Sequence, residues 1–154
     1  MDELDLRIVD ALLRDGRTPA AQIAEQIGLS RPAVADRIEK LERQGVIRGT
    51  TAVVEPSALG RDITAFIAGR GPTLSAAAWK RFRELMAGDE ILEVHTVAGD
   101  DCYLIKVRTD SIASLNALVS QFTTAPLSLT TRTTIVMQTH CEKVGGITLG
   151  EAEP

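Results

Sequence analysis

Through the first 48 positions apolar residues recur at helical spacing. Leu4, Ile8, Ala11 and Leu12 stand at i, i+4, i+7 and i+8, with Val9 and Leu13 widening the stripe; this is one face of an amphipathic helix. Asp2 or Glu3 supplies a cap and Asp15-Gly16 a stop. A second helix is predicted from Thr18-Pro19, with Thr as the cap and Pro at the first helical position, where its missing N–H costs nothing. It carries Ile23, Ala24 and Ile27 and ends at Gly28. A third helix begins at Ser30, turns Val34, Ile38 and Leu41 inward, and runs to about Gln44 before Gly45 ends it.

Beyond Gly45 the pattern changes period. Val46-Ile47 and Thr50 to Val54 are β-branched and predict a short strand or hinge, broken by Glu55-Pro56-Ser57. Strands are then predicted at Ile63–Gly69, Ile91–Val97, Cys102–Arg108 and, longest, Leu127–Thr139. Helices are predicted at Ser75–Met86 (Ala78, Phe82, Leu85 and Met86 inward) and Ser111–Phe122 (Ile112, Leu115, Leu118, Val119 and Phe122 inward). The turn Ala98-Gly99-Asp100-Asp101 joins the middle strands as a hairpin. The order β-α-β-β-α-β is the ferredoxin-like split arrangement. The fold class is therefore α+β, divided into a helical domain at 1–48, a hinge strand and linker at 49–60, a ferredoxin-like domain at 61–141, and a tail at 142–154, frayed or adding a short strand.

The second and third helices have the spacing of a helix-turn-helix. Ala24 permits close crossing, Gly28 makes the turn, and Val34 locks the second helix of the pair down. That helix then offers its first turn to the major groove of double-stranded DNA. Ser30 and the free N–H groups behind it suit a phosphate. Arg31, Pro32, Ala35 and Asp36 are early enough to approach base edges, Arg31 suiting guanine and the Ala35 methyl suiting thymine. Arg37, Lys40 and Arg43 are placed for phosphates, which position without specifying. The competing reading is a solvated helix face, with these three paired to Glu39, Glu42 and Asp36.

Charge changes the picture only locally. The 154 residues hold 17 Lys+Arg against 21 Asp+Glu, a net charge of -4, which argues against coating nucleic acid by bulk charge. Residues 31–48 nevertheless carry five basic groups against three acidic ones. Aromatics make up 3% of the chain, too few for base stacking along a single strand. No apolar run reaches the roughly 18 residues a membrane span needs. The acidic start MDELDLRIVD does not read as a signal peptide. With two cysteines, Cys102 and Cys141, no disulfide framework is expected, and the cytoplasm is the expected compartment.

The stretch from Leu4 to Gly49 resembles the N-terminal domain of the Lrp/AsnC family of transcription regulators. The resemblance rests on Leu4-Asp5, Asp15-Gly16-Arg17, Ile23-Ala24, Gly28-Leu29-Ser30, Arg37-Ile38 with Leu41-Glu42, and Gly45-Val46-Ile47, and it continues through Leu59-Gly60 over nearly the whole chain. It implies a DNA-binding domain, a hinge and an effector-sensing, oligomerising domain. It also implies a homodimer assembled further into octamers or similar rings. The implied effector is an amino acid, held near the hairpin Gly99-Asp100-Asp101-Cys102-Tyr103. The family often has GDYDY there; Gly99, Asp100 and Tyr103 match, while Asp101 stands in place of Tyr and Cys102 in place of Asp. Carboxylates at a turn suit an α-ammonium group and open backbone N–H groups suit an α-carboxylate. Thr131, Thr133 and Thr134 match the family's TRTS-like segment and would add hydroxyls. In the last strand Arg132 and Thr134 share one face and Thr133 and Ile135 the other. The face without helices predicts a sheet-on-sheet dimer.

Other chemistries have little support. His95, His140, Cys102 and Cys141 fit no common zinc spacing, and no cofactor or catalytic residue is expected. There is no phosphate loop of the GxxxxGK type and no GxSxG elbow. A Cys102–His95 pair across the hairpin is conceivable on paper, a free thiol beside a surface histidine being the plainer reading. A second class of function stays open: an amino-acid sensor that controls a partner enzyme through protein contacts, its helices serving for docking. Salt-sensitive DNA binding separates the two.

Overall fold

The computed structural model describes residues 1–143. It contains two compact units, one built on Met1–Val53 and the other on Val54–His140.

In the first unit, α1 (Glu3–Arg14) is capped by Asp2. The Asp2 carboxylate accepts the Asp5 N–H at 2.8 Å and the Asp5 carboxylate accepts the Asp2 N–H at 3.0 Å, a reciprocal box that satisfies two donors at the helix start. Helix α2 (Ala20–Ile27) begins one residue later than the sequence predicts, with Pro19 as its cap. The Thr18 hydroxyl is turned back to the Asp15 carbonyl at 2.8 Å, so it closes the preceding turn instead of capping α2. Gly28 ends α2 at φ 74°, a conformation other residues rarely take. Helix α3 (Arg31–Arg43) follows directly, with Ser30 Oγ accepting the Ala33 N–H at 3.3 Å. Ile8, Ile23, Ala24, Ile27, Val34 and Leu41 form the buried core between the three helices.

The hinge strand at Thr50–Val54 is not formed. Among the described residues the segment pairs with no strand and is exposed throughout, Val53 by 75%, so water satisfies its backbone groups. A 3-10 turn follows at Pro56–Leu59.

The second unit runs β1 (Ile63–Arg70), α4 (Ala76–Met86), β2 (Ile91–Thr96), β3 (Tyr103–Thr109), α5 (Ile112–Thr123), β4 (Thr130–Ile135). The strands form one antiparallel sheet in the order β2-β3-β1-β4, the topology the element order implies. Ala65, Ile67, Tyr103, Ile105 and Val107 point to the helical side and pack with Phe82 and Leu85 of α4 and Leu115, Leu118 and Phe122 of α5. Ile112, expected inward, is the first residue of α5 and is exposed. The last strand is about half its expected length. The N–H groups of Leu127 and Ser128 donate to the Thr124 carbonyl and that of Leu129 to Phe122, so these donors finish α5 and are not available to the sheet. At the other end, pairing stops after Val136 donates to Thr64, where β1 itself begins. The expected tail beyond Lys143 lies outside the described residues.

Candidate nucleic-acid interface and effector site

Helix α3 sorts its side chains by burial. Val34 and Leu41 are buried, Ile38 is half-buried, and Arg31, Pro32, Ala35, Asp36, Lys40 and Arg43 are exposed. Ser30, Arg31, Pro32, Ala35 and Asp36 therefore lie together at the capped start of α3, with Lys40 and Arg43 toward its end. Ser30 Oγ accepts the Ala33 N–H, the Ser30 carbonyl accepts the Val34 N–H at 3.1 Å, and Pro32 has no N–H, which leaves the Arg31 N–H as the first-turn donor able to face an anion. Arg43 pairs with Glu39 at 2.5 Å, both side chains about two-thirds exposed, a contact of the solvated kind that phosphate can displace.

Arg37 is different. Its Nη1 donates to Asp2 at 2.7 Å and to Asp5 at 2.6 Å. The partners expected on α3 itself are replaced by the start of α1. The Arg37 guanidinium, together with the Asp5 N–H, holds the Asp2 carboxyl below the ordinary value. The Asp5 carboxyl is lowered in the same way, first by the Asp2 N–H and then by Arg37. Sequence reading missed this pairing because helical spacing shows only neighbours three or four residues apart. The available signal was the crowd of acids at the chain start.

The hairpin between β2 and β3 closes with the Val97 N–H donating to the Cys102 carbonyl at 3.0 Å. Gly99 takes φ 142° within it, and Asp100 is exposed. Asp101 accepts from Arg132 of β4 at 3.0 Å. The Cys102 N–H donates to the Gly69 carbonyl at 2.9 Å and its thiol to Gly71 at 3.6 Å. A Cβ at Gly71 would stand 2.8 Å from Leu129 Cδ2, so the Leu129 side chain would have to shift to admit one. The hairpin tip, the end of β1 and the start of β4 thus meet at one end of the sheet. Tyr103 lies in the core, its ring edge-on to Phe82 at 5.3 Å and to Trp79 at 6.2 Å. Thr131 and Thr133 pair with Gly69 and Ile67 on the helical side, whereas Thr134 pairs with Phe66 on the open side. The three hydroxyls do not converge. Arg132 is the group the sequence reading left out of this site, although its alternation with Thr131 and Thr133 already set it on the opposite face.

The remaining histidine and cysteine readings do not assemble. His95 is hydrogen-bonded to Glu93 at 3.2 Å and stands opposite Leu104, and the Cys102 thiol is turned to Gly71. Among the described residues no group of three His, Cys, Asp or Glu side chains is placed to hold a metal ion, and no helix is long and apolar enough to cross a membrane.

Residues 1–42 match the AsnC-type helix-turn-helix domain, and residues 73–145 match the Lrp/AsnC ligand binding domain. The chain is 35% identical over 147 residues to the HTH-type transcriptional regulator FL11 of Pyrococcus abyssi, covering 92% of this chain and 93% of that protein. It is 32% identical over 143 residues to the leucine-responsive regulatory protein of Salmonella typhimurium, covering 90% and 85%. The crystal structure of the Mycobacterium tuberculosis leucine response regulatory protein superposes with a TM-score of 0.80 at 30% identity, over 93% of this chain and 97% of that one. A Neisseria meningitidis transcriptional regulator, solved as a complex with L-Met, shares the fold at a TM-score of 0.81 and 19% identity, over 93% and 94%.

Proposed function

From a chain that belongs to the Lrp/AsnC family of transcriptional regulators, we infer a DNA-binding regulator whose binding or assembly responds to a small effector, an amino acid. The observation that carries the reading is α3 itself. Its capped start and its exposed Arg31, Lys40 and Arg43 stand on the outer side of a helix pair locked by Gly28 and Val34. Ser30 and the Arg31 N–H meet a phosphate. Arg31, Pro32, Ala35 and Asp36 approach base edges. Lys40 and Arg43 follow the backbone. We assign the linker role to residues 49–60.

The effector reading rests on the hairpin end of the sheet. An exposed Arg132 and a half-buried Asp101 form an ion pair, the carboxylate suited to an α-ammonium and the guanidinium to an α-carboxylate. Gly99, Asp100 and the backbone at Cys102 border it, with Thr131, Thr133 and Thr134 on the adjoining edge strand and Tyr103 anchoring the loop from below. The open sheet face, with Phe66 half-buried and Leu104 exposed, supports a dimer that stacks sheet on sheet, and assembly beyond it into octamers or similar rings. Such a regulator works on DNA in the cytoplasm.

Two measurements test this. Selection from a pool of random duplexes gives a defined sequence with the full chain and a relaxed one with Arg31→Ala; a pool that emerges unenriched sinks the DNA reading. A thermal-shift screen of the twenty amino acids gives stabilisation by one or a few, abolished in Asp101→Ala; stabilisation that survives the substitution removes the hairpin from the site.

A further inference from the structure

Arg37 is the basic residue of α3 that does not face solvent freely. It lies beside the buried Val34 and Leu41 rows, with its side chain 28% exposed. One guanidinium nitrogen reaches both halves of the α1 capping box, Asp2 Oδ2 at 2.7 Å and Asp5 Oδ1 at 2.6 Å. The box is what makes this convergence possible. Each carboxylate uses one oxygen on the other residue's N–H, and Asp5, 2% exposed, is held at the helix start by packing. Asp5 spends its Oδ2 on the box and offers its Oδ1 to Arg37; Asp2 spends its Oδ1 and offers its Oδ2. The link spans 35 and 32 residues and ties the start of α1 to the middle of α3 without passing through α2.

The core beneath is made of six aliphatic side chains. Such side chains fix how close two helices lie better than how each is rotated, because dispersion contacts are non-directional. A charged pair with a defined hydrogen-bond geometry adds that specification.

We propose that Arg37 is a positioning residue of the DNA-reading surface: by clamping the capped start of α1 it sets the rotation of α3, and it makes no phosphate contact of its own. This rests on the DNA-binding reading above. The alternative role gives the opposite sign for one substitution. Were Arg37 a phosphate ligand, Asp2 and Asp5 would compete with DNA for it, and neutralising either would tighten binding. Under the clamp, neutralising either loosens binding, against the general trend that removing an acid favours DNA.

The test uses the full chain, a fluorescent duplex of random sequence and a series of KCl concentrations, with wild type, Asp2→Asn and Arg37→Gln compared below their melting temperatures. Asn caps a helix as well as Asp does, so Asp2→Asn removes charge and keeps the cap. Expected is a roughly threefold to tenfold loss of affinity in both variants, with the slope of log K against log salt unchanged. The clamp is overturned if Asp2→Asn binds as tightly as wild type or tighter. It is equally overturned if Arg37→Gln lowers the slope by about one, the signature of a lost phosphate contact. Should Arg37→Gln not fold, the sign of the Asp2→Asn effect decides alone. A wild-type chain that binds no duplex at all removes the regulator reading itself, and the clamp's role with it.

Discussion

In the Met1–Val53 unit six aliphatic side chains make up the buried core. In the Val54–His140 unit Phe82 packs edge-on to Phe122 at 5.9 Å and to Tyr103 at 5.3 Å, with Trp79 alongside. The smaller unit has less apolar surface to bury, and it adds directed polar contacts: a capping box and a cation shared by its two carboxylates. The larger unit is held by a sheet covered on one side, with Ser caps on α4 and α5 and part-buried hydrogen bonds from Arg81 to Gln121 and from Arg108 to Thr64. The difference follows their tasks. Under the proposed roles, a reading helix needs its orientation fixed against a small support, and a sensing sheet needs a stable floor beneath its loop.

Substitutions can break that contrast. The largest effect is expected from Phe82→Ala, which removes the centre of the aromatic cluster and costs about 3–5 kcal/mol. Denaturant unfolding followed by the fluorescence of Trp79, whose ring lies 5.8 Å from Phe82, reads it directly. A loss well under that range would mean the cluster is not the support of this unit. Ser30→Ala removes the α3 cap and should cost about 1 kcal/mol, read as helical circular dichroism lost earlier in urea. An unshifted midpoint would show that the first turn needs no cap.

Acid gives a smaller change with a defined sign. The carboxyls of Asp2 and Asp5 are depressed in the folded chain. Their contribution is therefore complete above the ordinary carboxylate value of 3.8 and is lost as pH falls below it. Glu93, lowered first by its hydrogen bond from His95, and Asp110, lowered by Ser114, give the other unit an acid response of its own. Comparing wild type with Asp5→Asn isolates the first: the variant's stability should depend less on pH below about pH 4. Identical acid profiles would argue that the clamp contributes nothing to folding. Smallest is Arg43→Ala, which should change stability by no more than about 0.5 kcal/mol because the pair with Glu39 is exposed. A larger loss would make that pair structural.

The helices were legible because their apolar stripes and caps agree: Asp2, Ser30, Ser75 and Ser111 all stand at observed helix starts. Strand ends were less so. The residues 127–129 have strand composition, yet their N–H groups go to the end of α5, a choice made by tertiary placement and invisible in local pattern. The segment Thr50–Val54 has β-branched residues but no neighbour within the described chain. Of the candidate surface, exposure along α3 could be read from periodicity. Arg37 could not, since its partners lie more than thirty residues away, and the hairpin's ion partner Arg132 lies across two strands of the sheet.

The most direct test of the account is the salt dependence of duplex binding by wild type and Lys40→Ala. The account predicts an affinity that falls steeply as salt rises, with a slope smaller by about one in Lys40→Ala. An affinity indifferent to salt, or a slope that Lys40→Ala leaves unchanged, would contradict it.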